Sequence, residues 1–152
     1  MSASPRRLLV LHGPNLSLLG SREPAVYGRA TLAQIDAALT ARAHRRGYEL
    51  ECLQSNHEGA LIDALHGAVG RCAGVVFNPG GYTHSSVALR DAVVASGLPT
   101  VECHLSNTAA RESFRRRSMI AAVCVGTVAG FGARSYLAAL DALIDHLEDV
   151  TV

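Results

Sequence analysis

The strongest constraint on this chain is its rhythm. Short apolar runs alternate with longer stretches whose apolar residues recur at helical spacing. Leu8–Leu11 is apolar throughout, and Gly74–Phe77, Thr100–Leu105 and Ala121–Val125 are nearly so; each predicts a strand. Tyr48, Leu50 and Cys52 alternate with Glu49 and Glu51, which predicts a further strand with one wetter face. Between the strands, Thr31 caps a helix in which Leu32, Ile35 and Leu39 share a face and which Gly47 ends. Ser55-Asn56-His57-Glu58 has capping-box spacing ahead of Leu61, Ile62, Leu65 and Val69. Ser85 or Ser86 starts a helix running through Val93 and Val94 to Gly97. Asn107 to Arg117 reads as a short helix with Phe114 facing inward. Tyr136, Leu137, Leu140, Leu143, Ile144 and Leu147 line the last helix. Five strands alternating with five helices predict an α/β domain: a flavodoxin-like, five-stranded parallel sheet with helices on both faces. At 152 residues the chain suits a single catalytic domain over residues 1–152, with residues 1–6 expected to form a flexible N-terminal extension.

Composition narrows the function classes. All 14 basic residues are arginine, so Schiff-base chemistry, pyridoxal phosphate chemistry and a lysine-bearing phosphate loop are excluded. The formal net charge of +1 carries no footprint for nucleic acid or an anionic membrane. No apolar run approaches a membrane span, and the run behind Arg6 and Arg7 is too short for a cleaved signal peptide. Cys52, Cys72, Cys103 and Cys124 form no C-x-x-C pair, which predicts buried reduced thiols and a cytoplasmic location.

In parallel sheets the site lies beyond the carboxyl ends of the strands. Here the first four strands run directly into polar residues: His12-Gly13-Pro14-Asn15, Gln54-Ser55-Asn56-His57, Asn78-Pro79-Gly80-Gly81 followed by His84, and His104, Ser106 and Asn107. Turn and cap chemistry explains any one of these loops. It explains less well four histidines and four asparagines on one sheet edge, which predict a ligand site. The late glycines Gly126, Gly130 and Gly132 lack dinucleotide spacing and read as close-packing positions. The histidines lack metal-ligand spacing, so no metal and no cofactor is expected. Arg111 and Arg115 share one face of the short helix after strand four, whose N-terminus suits a carboxylate. Leu16 to Gly28 is long enough to be a lid or binding loop. It carries Arg22, Glu23 and Tyr27. A tyrosine in a loop is most often a packing residue, but a neighbouring cation favours the phenolate and makes Tyr27 a candidate base.

These segments resemble the type II dehydroquinases, the 3-dehydroquinate dehydratases of the shikimate and quinate pathways. The likeness is carried by Gly13-Pro14-Asn15-Leu16, Arg22-Glu23-Pro24 with Tyr27-Gly28, Gln54-Ser55-Asn56-His57-Glu58, Asn78-Pro79-Gly80 with Tyr82-Thr83-His84, and Val101-Glu102-Cys103-His104-Leu105-Ser106-Asn107, collinear from Leu8 to Leu143. The resemblance implies trans-dehydration of 3-dehydroquinate to 3-dehydroshikimate through an enolate. It implies that Tyr27 is the base, that Arg22 keeps it ionised, that Asn15 holds a water against the enolate oxygen, and that His104 is the general acid, oriented by Glu102. It implies that Asn78, His84 and Arg115 bind ring hydroxyls and that the Leu105 and Ser106 backbone N–H groups take the carboxylate. It implies a homo-oligomer, a dodecamer of trimers, in which Asp91 reaches a neighbour's site. Ser17, Gly81, Ala109, Arg116, Arg117 and Met119 depart from residues frequent in the family, while every position with a chemical role is kept. The competing reading is a flavodoxin-like ligand-binding or regulatory paralogue without turnover.

Overall fold

The structure is a computed structural model that describes residues 6–151; residues 1–5 of the expected N-terminal extension lie outside it. Arg6 belongs to the fold rather than to an extension, because its carbonyl accepts the Glu49 N–H and its guanidinium lies over the Tyr48 ring. Five parallel strands, β1 (Arg7–His12), β2 (Glu49–Gln54), β3 (Gly74–Asn78), β4 (Thr100–His104) and β5 (Gly126–Ala129), stand in the order β2-β1-β3-β4-β5. This is the flavodoxin-like doubly wound order. Besides a one-turn helix α1 (Pro24–Tyr27), the helices are α2 (Leu32–Arg45), α3 (Glu58–Ala68), α4 (Val87–Ser96) and α5 (Ala133–Leu147).

Alternation along each central strand sorts the core into two layers, because successive side chains point to opposite faces. Leu8, Val10, Val76, Val101 and Cys103 pack against α2 and α5 through Ile35, Leu39, Tyr136, Leu140 and Leu143. Leu9, Leu11, Val75 and Phe77 pack against α3 and α4 through Leu61, Leu65, Leu89 and Val93. The edge strand β2 keeps Glu49 exposed, as its alternation predicts. Thr31 and Gln34 form a reciprocal capping box, and Ser86 caps α4 by accepting the Leu89 N–H. At α3 the expected box is absent: His57 is the cap residue without a side-chain bond, and Glu58 instead accepts from the Ser86 hydroxyl at 2.6 Å.

The largest departure lies between β4 and β5. The expected helix from Asn107 to Arg117 is two separate 3₁₀ turns, Thr108–Ala110 and Ser113–Arg116, and Phe114 is exposed rather than inward. The expected fifth strand is displaced: Ala121–Val123 is another 3₁₀ turn, and the chain pairs with β4 only from Gly126. Gly126 and Gly132 have open space beside them and are not packing positions; Gly132 caps α5 instead.

The order reverses between β1 and β3, and there the loops interlock. The Gly13 N–H donates to the Asn78 carbonyl at 2.7 Å, and a Cβ on Gly13 would meet the Pro79 carbonyl oxygen at 2.4 Å. A Cβ on Gly80, at φ +61°, would meet the Pro14 carbonyl oxygen at 3.1 Å. Only glycine allows the two loops to cross this tightly.

Candidate active site

The register aligns Gln54, His12 and Asn78 in one row at the carboxyl edge of the sheet. Beyond that row lies a cavity of about 180 Å³ that includes Asn15, Arg22, Tyr27, Asn78, His84, His104, Leu105, Ser106, Arg111 and Arg115 in its lining. Three stretches far apart in sequence, 14–27, 78–84 and 104–115, thus deliver almost the whole expected set to one place. A larger, more open hollow of about 600 Å³ lies at the opposite end of the sheet. Two of its arginines are already paired, Arg7 with Glu49 and Arg71 with Glu51, so the smaller cavity holds the unmatched polar chemistry.

One wall is an acid–histidine pair. Glu102 is 2% exposed and accepts from His104 Nε2 at 2.5 Å, from Ser118 Oγ at 2.7 Å and from Thr83 Oγ1 at 2.9 Å. Burial alone pushes its carboxyl up, but the bonds from His104, Ser118 and Thr83 outweigh burial and hold it below the usual carboxylate range. A carboxylate only accepts, so Nε2 carries a proton and Nδ1 is the His104 nitrogen left for other work. His84 is oriented likewise: Nδ1 donates to the Arg117 carbonyl at 2.7 Å, which leaves Nε2.

The opposite wall is the segment between β1 and α2. Leu16 and Leu19 anchor it in the core. Pro24 sits in the first turn of α1 and sets its direction, and Tyr27 ends that helix half-buried. Arg22 lies over the Tyr27 ring at 4.8 Å from its centroid, and Arg111 lies on the same ring at 5.2 Å. Asn15 adopts φ +69°, a conformation that asparagine tolerates. Its N–H donates to Asn56 Oδ1 at 3.0 Å, and Gln54 Nε2 steadies the same loop by donating to the Gly13 carbonyl and to Asn56.

Arg115 and Arg111 both reach the cavity, though not from one helix face. Arg115 is held by Glu112 in its own turn, and Arg111 donates to Ser106 Oγ at 3.3 Å. Glu102 does not line the cavity; it is bonded to His104, which does. Asp91 is exposed on α4 and is not part of the cavity of its own chain.

Sequence reasoning gave no assigned role to four groups. Arg111 was read with Arg115 as facing a carboxylate site without a role of its own, Thr83 stood only within a motif, and Ser118 was not singled out. The fourth group is a chain of bonds behind Asn78: His12, Asp36 and Tyr136, two of them fully buried. His12, Asp36 and Cys52 offer three donor atoms within 4.8 Å of one another. These donors are engaged: both His12 ring nitrogens have hydrogen-bond partners, and burial, with Asp36 beside it, pushes the Cys52 thiol up to about 12. A protonated thiol is a poor metal ligand. Burial also pushes Cys124 up to about 12 and raises Cys72 and Cys103; all four cysteines are free. Among the described residues, no helix is long and apolar enough to cross a membrane.

Residues 6–144 match the family model described as dehydroquinase class II. The chain is 60% identical over 141 residues to a 3-dehydroquinate dehydratase of Gloeobacter violaceus, covering 93% of this chain and 88% of that one. It is 58% identical over 140 residues to one of Ruegeria pomeroyi, covering 92% and 94%. The type II dehydroquinase crystal structure from Butyrivibrio crossotus superposes with a TM-score of 0.90 at 40% identity, covering 93% of this chain and 99% of that one.

Proposed function

The chain belongs to the type II dehydroquinase family, and from that premise we propose how its cavity carries out the dehydration of 3-dehydroquinate to 3-dehydroshikimate. The observation that carries the reading is the meeting of Tyr27, His104, Asn15 and the arginines Arg22, Arg111 and Arg115 in one cavity. Tyr27 removes a proton from the carbon beside the ketone. The electron pair moves onto the ketone oxygen to give an enolate, and Asn15 holds a water against that oxygen. Arg22 and Arg111 bring positive charge to the wall where negative charge develops. The enolate then collapses, the bond to the leaving hydroxyl breaks, and His104 supplies the proton that lets it depart as water. Glu102 fixes the ring and stabilises the charged imidazole, as in other acid–histidine pairs. Asn78, His84 and Arg115 take the ring hydroxyls, and the backbone at Leu105 and Ser106 takes the carboxylate. No step calls for a metal or an organic cofactor.

We also propose that the chain works as a homo-oligomer, a dodecamer of trimers, in the cytoplasm. Free cysteines with raised thiols suit a reducing compartment. Val87 and Val94, exposed on α4 beside Asp91, suit a covered face. Asp91 then meets Arg115 of the next subunit and completes its site.

The test is turnover of 3-dehydroquinate, followed by the ultraviolet absorbance of the conjugated enone product. The native chain should turn over, and Tyr27→Phe should not while still binding substrate. A native chain that binds but never converts would establish the regulatory reading instead.

A further inference from the structure

Behind the cavity, four side chains from four elements form one continuous line of hydrogen bonds. Asp36 Oδ1 on α2 meets His12 Nε2 at 2.7 Å. His12 Nδ1, at the end of β1, meets the Tyr136 hydroxyl of α5 at 2.7 Å. The same hydroxyl accepts from Asn78 Nδ2 at 3.1 Å, and Asn78 Oδ1 accepts the Gly80 N–H at 3.1 Å. His12 and Tyr136 are fully buried and Asn78 is 2% exposed, so water does not substitute for any of these partners. Among the described residues, no buried side-chain nitrogen or oxygen lacks a partner, so the line is complete.

Its two ends fix its direction. A carboxylate only accepts, so His12 Nε2 donates to Asp36 and, in the neutral ring, Nδ1 is an acceptor. The Tyr136 O–H therefore points at His12, and its oxygen turns lone pairs toward Asn78. A backbone N–H only donates, so Gly80 requires the Asn78 carbonyl on its side. Both constraints select the same Asn78 amide orientation. A flipped amide would set its N–H groups against the Gly80 N–H, and its oxygen against a hydroxyl whose proton is already engaged.

We propose that Asp36, His12 and Tyr136 are positioning residues for substrate binding, a relay that locks the Asn78 amide so that one N–H donor always faces the ring hydroxyl it recognises. The proposal rests on the reading that Asn78 contacts substrate. A locked amide discriminates between a hydroxyl that accepts and one that can only donate. A free amide accommodates either and loses that selectivity.

The test is a double-mutant cycle on steady-state constants. Tyr136→Phe keeps the ring and removes the acceptor; the loss of one buried hydrogen bond should raise KM about fivefold. Asp36→Ala, at the half-buried end of the line, should act in the same direction with about a twofold rise, a smaller share of one net hydrogen bond. Neither should lower kcat by more than about twofold, since neither touches the reacting atoms. In an Asn78→Ala background both effects on KM should vanish, because the relay acts only through that amide. Thermal melting of each variant separates misfolding from mispositioning. A KM rise that persists unchanged in the Asn78→Ala background would overturn the relay, as would wild-type KM in both single variants while Asn78→Ala alone raises it. Wild-type KM in Asn78→Ala itself would remove Asn78 from the binding site, and the relay with it.

Discussion

The two walls of the cavity are built differently. On the acid side, His104 is 11% exposed at its side chain, and its partner Glu102 is buried under three hydrogen bonds from β4, the turn before α4 and the Ser118 loop. On the base side, Tyr27 sits on a helix of four residues, and its neighbour Arg22 is one-third exposed and 3.7 Å from the Glu23 carboxylate. Exposed cation–π contacts and ion pairs of that kind are worth about 1 kcal/mol or less. The proposed acid is therefore part of the folded core, while the proposed base lies on a short helix that touches the core only through its half-buried ring, with Leu16 and Leu19 anchoring the segment upstream. A substitution on the acid wall should disturb stability and rate together, and one on the base wall should disturb rate alone.

The sharpest break in that contrast comes from Tyr27→Phe. Turnover should fall by about 10²–10⁴-fold, the usual worth of a positioned base, while the melting temperature stays within about 1 °C. A fall in melting temperature of several degrees would mean that the base wall is structural after all. Next in size is Gly13→Ala at the crossing of the β1 and β3 loops. The new carbon overlaps a backbone oxygen that cannot rotate away, so a loss of about 3 kcal/mol or more in chemical denaturation is expected. Arg22→Gln should lower kcat about 10–100-fold, since one of two cations on the Tyr27 ring remains, again with unchanged melting. Equal losses from Arg22→Gln and Arg111→Gln would show that the two arginines share the work.

The smallest effect is read from pH. Glu102 has its folded value held below the usual range, so its contribution to stability is complete above about 4.3, the unfolded value. It disappears as pH falls through the lower folded value. Stability of the native chain should therefore drop on acidification below about pH 4.3. Glu102→Gln should flatten that part of the curve while also costing activity. A native-like acid slope in the variant would place the acid sensitivity elsewhere.

The strand-end row was legible because β1 and β3 are buried on both faces and so read as apolar runs that stop at His12 and Asn78. In β4 the run is interrupted by Glu102, and His104 follows from the motif after it rather than from the run alone. The stretch from Asn107 to Val125 misled for the opposite reason. Its local spacing suits a helix and a strand, but its backbone is claimed by distant partners. Ser118 Oγ caps Ile120 and Ala121 while donating to Glu102, the Met119 N–H goes to the Thr83 carbonyl, and Arg90 takes the Met119 carbonyl. Those tertiary bonds break the segment into short turns and turn Phe114 outward. The relay behind Asn78 was invisible for a related reason, because no spacing rule links residues so far apart in the chain.

That distance has a consequence for how the protein comes into being. The His12–Tyr136 bond spans 124 positions and joins the first strand of this sheet to the last helix packed on it. Long-range closures of this kind are made late, after local structure has formed and the entropy of closing the loop has been met. On the ribosome, β1 to β4 emerge with every strand-end residue of the cavity already present, yet His12 waits for Tyr136. A chain cut short before α5 exposes the apolar face that Leu140 and Leu143 should cover and leaves the Asn78 amide free to turn. The line of bonds behind the cavity is thus closed only once α5 has docked on the sheet.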